Sequence, residues 1–211
     1  MPEPESTDSL KRAFRKQLRQ SRREQTQKDQ LSRKILSRIF NLEQYGQAET
    51  VLYYVHARDE VRTLSSLEAD LAGPKQIVVP YCVQGELRLV QIKNRNELSP
   101  GAYGILEPTN TVQERPDRSI KPEKIDFALI PGLGFDPQGT RIGHGKGYYD
   151  KLIPYLRKDC LRCGIAYDCQ IIETLPIDKH DQPMDIVVTQ TRVIHCRIND
   201  QQPRKSNSDK F

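Results

Sequence analysis

The chain has 211 residues, with 33 Lys+Arg against 28 Asp+Glu, a formal net charge of +5 and 36% hydrophobic residues. That length suits one domain, and no apolar run approaches the roughly 18 residues of a membrane-spanning helix, which excludes an integral membrane protein of that kind. Met1–Ser9 contains no basic stretch leading into an apolar one, so no secretory signal is expected. The five cysteines are an odd number, and they fit reduced thiols in a cytosolic protein.

The basic excess lies at the N-terminal end: residues 1–40 hold 11 Lys+Arg against 5 Asp+Glu. Such a segment suits a nucleic acid, an anionic membrane or a phosphate-bearing ligand, and composition does not choose among them. Residues 1–8 and 199–211 read as flexible tails around a single domain over 9–198. Ser9 is placed to cap a first helix with Leu10, Phe14 and Leu18 on one face. Thr26-Gln-Lys-Asp29 resembles a capping box and opens a second helix that buries Leu31, Ile35, Leu36 and Ile39.

Strand signals come next. Thr50–Val55 is a continuous apolar, β-prone run, as expected of a strand buried on both faces, and the polar loop 56–60 follows it. A helix is expected over Thr63–Leu71, ended by Gly73-Pro74. Residues 76–83 and 86–92 form strands joined at Gln84-Gly85. Residues 93–124 form a long irregular connection, and connections this long are often functional. A buried strand over 126–130 leads into a glycine-rich loop and a helix from about Tyr148 to Arg157. A strand over 162–167, a short helical piece near 171–175 and a last strand over 184–189 complete the order. Strands alternating with helices predict an α/β fold: one three-layer domain, with a mostly parallel central sheet and helices on both faces. Cys160-Leu-Arg-Cys163 has CxxC spacing but no second ligand pair, so two ordinary thiols at a helix end and strand start are expected.

The chemistry concentrates in Pro131–Asp150, which has six glycines. Asp136-Pro137-Gln138-Gly139 has the composition of a type I turn. Gly143-His-Gly-Lys-Gly147 places glycine at every other position before a helix, where backbone N–H groups can face an anion. Arg141 and Lys146 add positive charge, and a strand end followed by a glycine loop is where α/β proteins bind ligands. The spacing matches neither a Walker A loop nor a dinucleotide-binding fingerprint.

The same segment strongly resembles the signature of the 5-formyltetrahydrofolate cyclo-ligase family, also called methenyltetrahydrofolate synthetases: P-G-x-x-F-D-x-x-G-x-R-L-G-x-G-x-G-Y-Y-D, with Ile142 here in place of Leu. The likeness runs from about Leu10 to Thr189. It implies a NagB/RpiA/CoA-transferase-like architecture and an ATP- and Mg²⁺-dependent ligase that closes 5-formyltetrahydrofolate to 5,10-methenyltetrahydrofolate, releasing ADP and phosphate, through phosphorylation of the formyl oxygen. Residue by residue, Lys11 and Arg15 match an N-terminal pair that reaches nucleotide phosphates. Arg141, Ile142, Gly143, His144, Gly145, Lys146, Gly147, Tyr148 and Tyr149 match the ATP loop, within which His144 to Tyr148 also contact the folate. Val55 and Glu60 match the folate-contacting strand end and loop, with Asp59 an adjacent competitor. Lys146 and Tyr148 are the catalytic candidates, and Asp150 and Asp185 match positions assigned to Mg²⁺. His144 stands where relatives often have Arg or an aromatic residue. The implied protein is a cytoplasmic monomer that binds folate and ATP, and neither nucleic acid nor membrane. Two other readings remain: a nucleic-acid-binding α/β protein using the basic helix, and a phosphosugar or CoA-ester enzyme of similar architecture.

Overall fold

Period-two alternation along the central strands divides the interior into two cores. Val51, Ile77, Val79, Phe127, Leu129, Cys163, Ile165, Ile186 and Val188 point to one side; Leu52, Val78, Ala128, Ile130 and Val187 point to the other. The structure, a computed structural model, describes residues 6–101 and 104–196.

The strands are β1 (Thr50–Leu52), β2 (Gln76–Val83), β3 (Glu86–Ile92), β4 (Leu98–Pro100), β5 (Leu106–Pro108), β6 (Phe127–Pro131), β7 (Gly134–Phe135), β8 (Arg141–Ile142), β9 (Leu161–Ile165), β10 (Ile186–Val188) and β11 (Val193–His195). Seven of them form one sheet in the order β11-β10-β9-β6-β1-β2-β3. The five inner strands pair in parallel, and the two edge strands β11 and β3 are antiparallel to their neighbours. Helices α2 (Lys28–Phe40), α3 (Glu43–Gln47), α4 (Leu64–Leu71) and α5 (Asn110–Gln113) pack on the first core through Ile35, Ile39, Tyr45, Leu67 and Val112. Helix α6 (Tyr148–Leu152) and the chain just after it cover the second core through Leu152, Ile153 and Leu156. This is the mostly parallel, helix-covered α/β sheet predicted from the alternating pattern.

The longest helix, α1 (Thr7–Glu24), lies over neither main core. Its Phe14 and Leu18 pack with Leu133, Ile142 and Leu175, so its apolar face rests on the glycine-rich segment. Ser6 rather than Ser9 caps it: the Ser6 hydroxyl accepts the Ser9 N–H at 3.3 Å, and the helix begins three residues earlier than expected. Residues 1–5 of the expected N-terminal tail, the whole expected C-terminal tail 199–211 and residues 197–198 lie outside the described residues.

Other local expectations change. The capping box at Thr26 does not form; Gln27 adopts a left-handed conformation, and the Lys28 ammonium instead closes the α1–α2 corner on the carbonyls of Arg23 and Gln25. Gln84 and Gly85 both have positive φ, which gives the β2–β3 hairpin the twist of a type I′ turn. The helix after the glycine-rich loop holds α-geometry only to Leu152, because Pro154 leaves a single 3-10 turn beyond it. The helical piece near 171–175 is instead a 3-10 turn over Asp168–Gln170. There the backbone of Ile171 bridges to Phe135. The connection 93–124 contains β4, β5 and α5 rather than irregular chain alone.

Candidate active site

The order of the sheet fixes where a site can form. From β1 the chain works outward through β2 and β3 on one side; β6, β9, β10 and β11 build the other side. Strands β1 and β6 therefore flank a reversal point, whose carboxyl-end crevice is the usual ligand position in open α/β sheets. A cleft of about 800 Å³ opens there. Its walls come from the segments leaving β1 and β6, from α1, from β2 and β5, and from the loop over residues 178–182.

The segment after β6 folds back on itself before reaching α6. β7 and β8 form a two-residue ladder, closed by the turn at Asp136–Gly139. The Asp136 carboxylate, 1% exposed, holds that turn. One of its oxygens accepts the N–H groups of Gln138 (3.0 Å) and Thr140 (2.8 Å), and the other accepts that of Leu175 (3.0 Å). β8 then delivers Arg141 into the cleft wall, almost fully buried. Its guanidinium donates to Asp150 at 2.7 Å and to the Pro131 carbonyl at 3.4 Å, and lies over the Tyr149 ring. Gly145 runs at φ +99, a conformation that side-chain-bearing residues rarely adopt, and this lets the loop pass close to the Arg15 guanidinium.

Helix α1 supplies cations to the same cleft. Lys11 and Arg15 stand one turn apart on one face. Lys11 pairs with Asp181 and is buried. The Nε of Arg15 donates to the Gly143 carbonyl at 3.2 Å. Lys146 is exposed among the cleft residues.

Glu60 is the carboxylate of the β1 side. Its Oε2 accepts the Ala57 N–H at 2.9 Å, and its Oε1 lies 3.5 Å from His144 Nε2. Asp59, the sequence alternative, turns away and pairs with Lys28 at 3.4 Å. Burial and the Glu60 charge hold the Tyr149 phenol well above its ordinary value, against the pull of Arg141. A hydrogen bond with Cys82 raises Tyr148. Both tyrosines are therefore neutral hydrogen-bonding groups near pH 7 rather than bases.

Lys11, Arg15, Val55, Glu60, the whole run Arg141–Tyr149 and Asp150 line this single cleft, although they come from opposite ends of the chain. Asp185 does not. The parallel register that sets Ile186 against Cys163 also sets Asp185 against Arg162. Both its carboxylate oxygens accept from that guanidinium, at 2.9 and 2.7 Å. The acids of the cleft that the sequence reading missed include Asp178 and Asp181. Their only signal was the polar run Asp178-Lys-His-Asp181 just before the last parallel strand. The apolar wall was missed as well: Pro80, Tyr81, Cys82 and Leu87 from β2 and β3, and Leu106 from β5. Cys160 and Cys163 are buried free thiols.

The cleft places Lys11, Arg15, Arg141 and Lys146 around a glycine-lined loop, beside a fixed carboxylate and an apolar wall. That set can hold a polyanion next to a hydrogen-bonding heteroaromatic ring.

Comparison with known proteins gives a consistent answer. The model of the 5-formyltetrahydrofolate cyclo-ligase family matches residues 7–190. A probable 5-formyltetrahydrofolate cyclo-ligase of Schizosaccharomyces pombe is 29% identical over 182 residues, covering 79% of this chain and 87% of the relative. The 5-formyltetrahydrofolate cyclo-ligase of Escherichia coli K12 is 27% identical, covering 83% of this chain and 98% of the relative. The solved structure of 5,10-methenyltetrahydrofolate synthetase from Aquifex aeolicus superposes with a TM-score of 0.78 at 31% identity, covering 90% of this chain and 94% of that one.

Proposed function

The chain belongs to the 5-formyltetrahydrofolate cyclo-ligase family, and from that membership we propose that it converts 5-formyltetrahydrofolate and ATP to 5,10-methenyltetrahydrofolate, ADP and phosphate. The observation that supports this most is the convergence of Lys11, Arg15, Glu60 and residues 141–150 on one cleft. A formyl amide oxygen is a poor leaving group. Its attack on the γ-phosphorus of ATP, with departure of ADP, turns it into a good one. N10 then attacks the activated carbon, and the former formyl oxygen leaves as phosphate. Such a reaction asks the protein for alignment and charge neutralisation rather than for a nucleophile.

In this reading Arg15, Lys146 and Lys11 surround the polyphosphate, and Arg141 reaches it from the cleft wall. Lys146 and Tyr148 lie nearest the transferring group, with Lys146 offsetting its charge and the Tyr148 hydroxyl donating to it. Glu60 accepts N–H groups of the pterin, held in orientation by Ala57. Val55 and the half-buried Tyr148 ring bound the ring site.

The described residues include no group of three or more side chains able to cage a metal ion. Magnesium does not need one, because it keeps water and takes phosphate oxygens beside one or two carboxylates. The residues fit that mode: Asp150 and Asp181 are carboxylates of the cleft, each beside a cation, whereas Asp185 is neutralised by Arg162 outside it. When bound, the ion would neutralise phosphate charge.

The test is the near-ultraviolet absorbance of purified protein with 5-formyltetrahydrofolate, ATP and Mg²⁺, omitting each in turn. The methenyl chromophore should grow only in the full mixture, and Lys146→Ala should abolish its growth without loss of folding. A folded, ATP-binding protein that forms no chromophore in the full mixture would overturn the assignment.

A further inference from the structure

Arg22 is the buried cation of α1 that this chemistry leaves unused. Lys11, Arg15, Leu18 and Arg22 follow one another at the spacings of a single helical stripe, so the face that seats Leu18 also turns all three charges inward. Lys11 and Arg15 line the cleft; Arg22 does not, and it is 5% exposed. Burial of a guanidinium is unfavourable unless it is paired. Its Nη1 donates to the Gly132 carbonyl at 3.2 Å and stands 3.7 Å from Glu60 Oε1. Its Nε has no hydrogen-bond partner among the described residues.

Glu60 is thus held from several elements. Ala57 donates to one carboxylate oxygen, and Arg22 from α1 and His144 from the glycine-rich loop flank the other. The Tyr167 hydroxyl donates to the Glu60 backbone carbonyl at 3.2 Å. Of these groups Arg22 is the one that is both permanently charged and buried behind the carboxylate, and it also grips Gly132, where the glycine-rich segment begins.

We propose that Arg22 is a positioning residue for Glu60: from behind the cleft it fixes the carboxylate as an oriented acceptor and so sets affinity for the N–H-donating ring of the substrate. The proposal rests on the reading of Glu60 as the folate acceptor. Nucleotide affinity should depend on it little, because its hydrogen bond and its ion pair go to Gly132 and Glu60 rather than to Arg15 or residues 143–147.

The experiment measures kcat and the KM values for 5-formyltetrahydrofolate and ATP, with the melting temperature, for Arg22→Gln, Arg22→Lys, Glu60→Gln and the Arg22→Gln/Glu60→Gln double variant. Arg22→Gln should raise the folate KM by about tenfold with the ATP KM within about twofold. Arg22→Lys, which keeps the charge but not the fork, should raise it less, and it stands in if the glutamine variant does not fold. In the Glu60→Gln background the Arg22 substitution should add little, because the group it orients is gone. A raised folate KM in Glu60→Gln with an unchanged one in both Arg22 variants would remove the positioning role alone. Multiplicative effects in the double variant, or equal rises in both KM values, would show a merely structural arginine. An unchanged folate KM in Glu60→Gln would remove the acceptor reading and the proposal together.

Discussion

Replacing Asp136 by Asn tests how the glycine-rich loop is held. The carboxylate is buried and accepts three backbone N–H groups, two at one oxygen and one at the other. An asparagine can keep its carbonyl oxygen toward Gln138 and Thr140, but its amide nitrogen then faces the Leu175 N–H, donor against donor. One hydrogen bond to a charged acceptor is lost, worth about 1.5–3 kcal/mol, and the two that remain weaken as the charge goes. The loss should be about 3 kcal/mol, a large part of the roughly 5–15 kcal/mol by which such domains are stable. At about 2–4 °C per kcal/mol for a chain of this size, the melting temperature should fall by roughly 6–12 °C. Calorimetry and urea denaturation followed by circular dichroism measure it directly. Turnover should also drop well below the melting transition, because the Asp136 turn sets the register that delivers Arg141. A melting temperature within about 2 °C of the parent would refute the view that these three bonds organise the loop.

Stability should also depend on pH through His56. Its Nδ1 accepts the Thr63 N–H at 3.2 Å, and burial, aided by the Arg62 charge, lowers its pKa from 6.5. A depressed pKa means that the fold favours the neutral ring. Its contribution is complete above the unfolded value and disappears as pH falls through the lowered one. Between about pH 7.5 and pH 5 the parent should lose more urea resistance than His56→Asn, which accepts the same bond without titrating; equal losses would contradict this. The thiols give a third check. Cys82 is exposed in the cleft, whereas burial pushes Cys160 and Cys196 up to about 12 and holds Cys163 higher still. A disulfide reagent near pH 8 should therefore find one fast thiol, slowed by saturating ATP and folate. Several fast thiols, or no protection, would count against the assigned cleft.

The fold was largely legible because each element obeyed one period. Continuous apolar runs such as Thr50–Val55 and Phe127–Ile130 marked strands covered on both faces, and the glycine-rich signature marked the loop that follows the reversal point. What escaped depended on pairing across the chain. β7 and β8 are two residues long and rich in glycine, so no periodicity betrays them. Asp181 and Asp185 lie four positions apart and look alike in sequence. The parallel register of β9 and β10 gives Asp185 to Arg162, while Asp181 meets a lysine from the first helix. The N-terminal cap also shifted: Ser9 was the expected cap and residues 1–8 read as a tail, whereas the backbone geometry makes Ser6 the cap.

The reach of α1 has a consequence for how the molecule comes into being. Its three inward cations meet partners 170, 128 and 110 residues further along the chain. Translation makes this helix before any of those partners, and it has nothing to dock on until the chain has passed β6. A nascent chain short of Gly132 carries an undocked, strongly basic amphipathic helix, the stage at which stray polyanions and aggregation threaten it. Contacts of such long separation slow folding. They also mean that the cleft, which needs Lys11 and Arg15 beside residues 141–150 and 178–182, cannot close before α1 has docked.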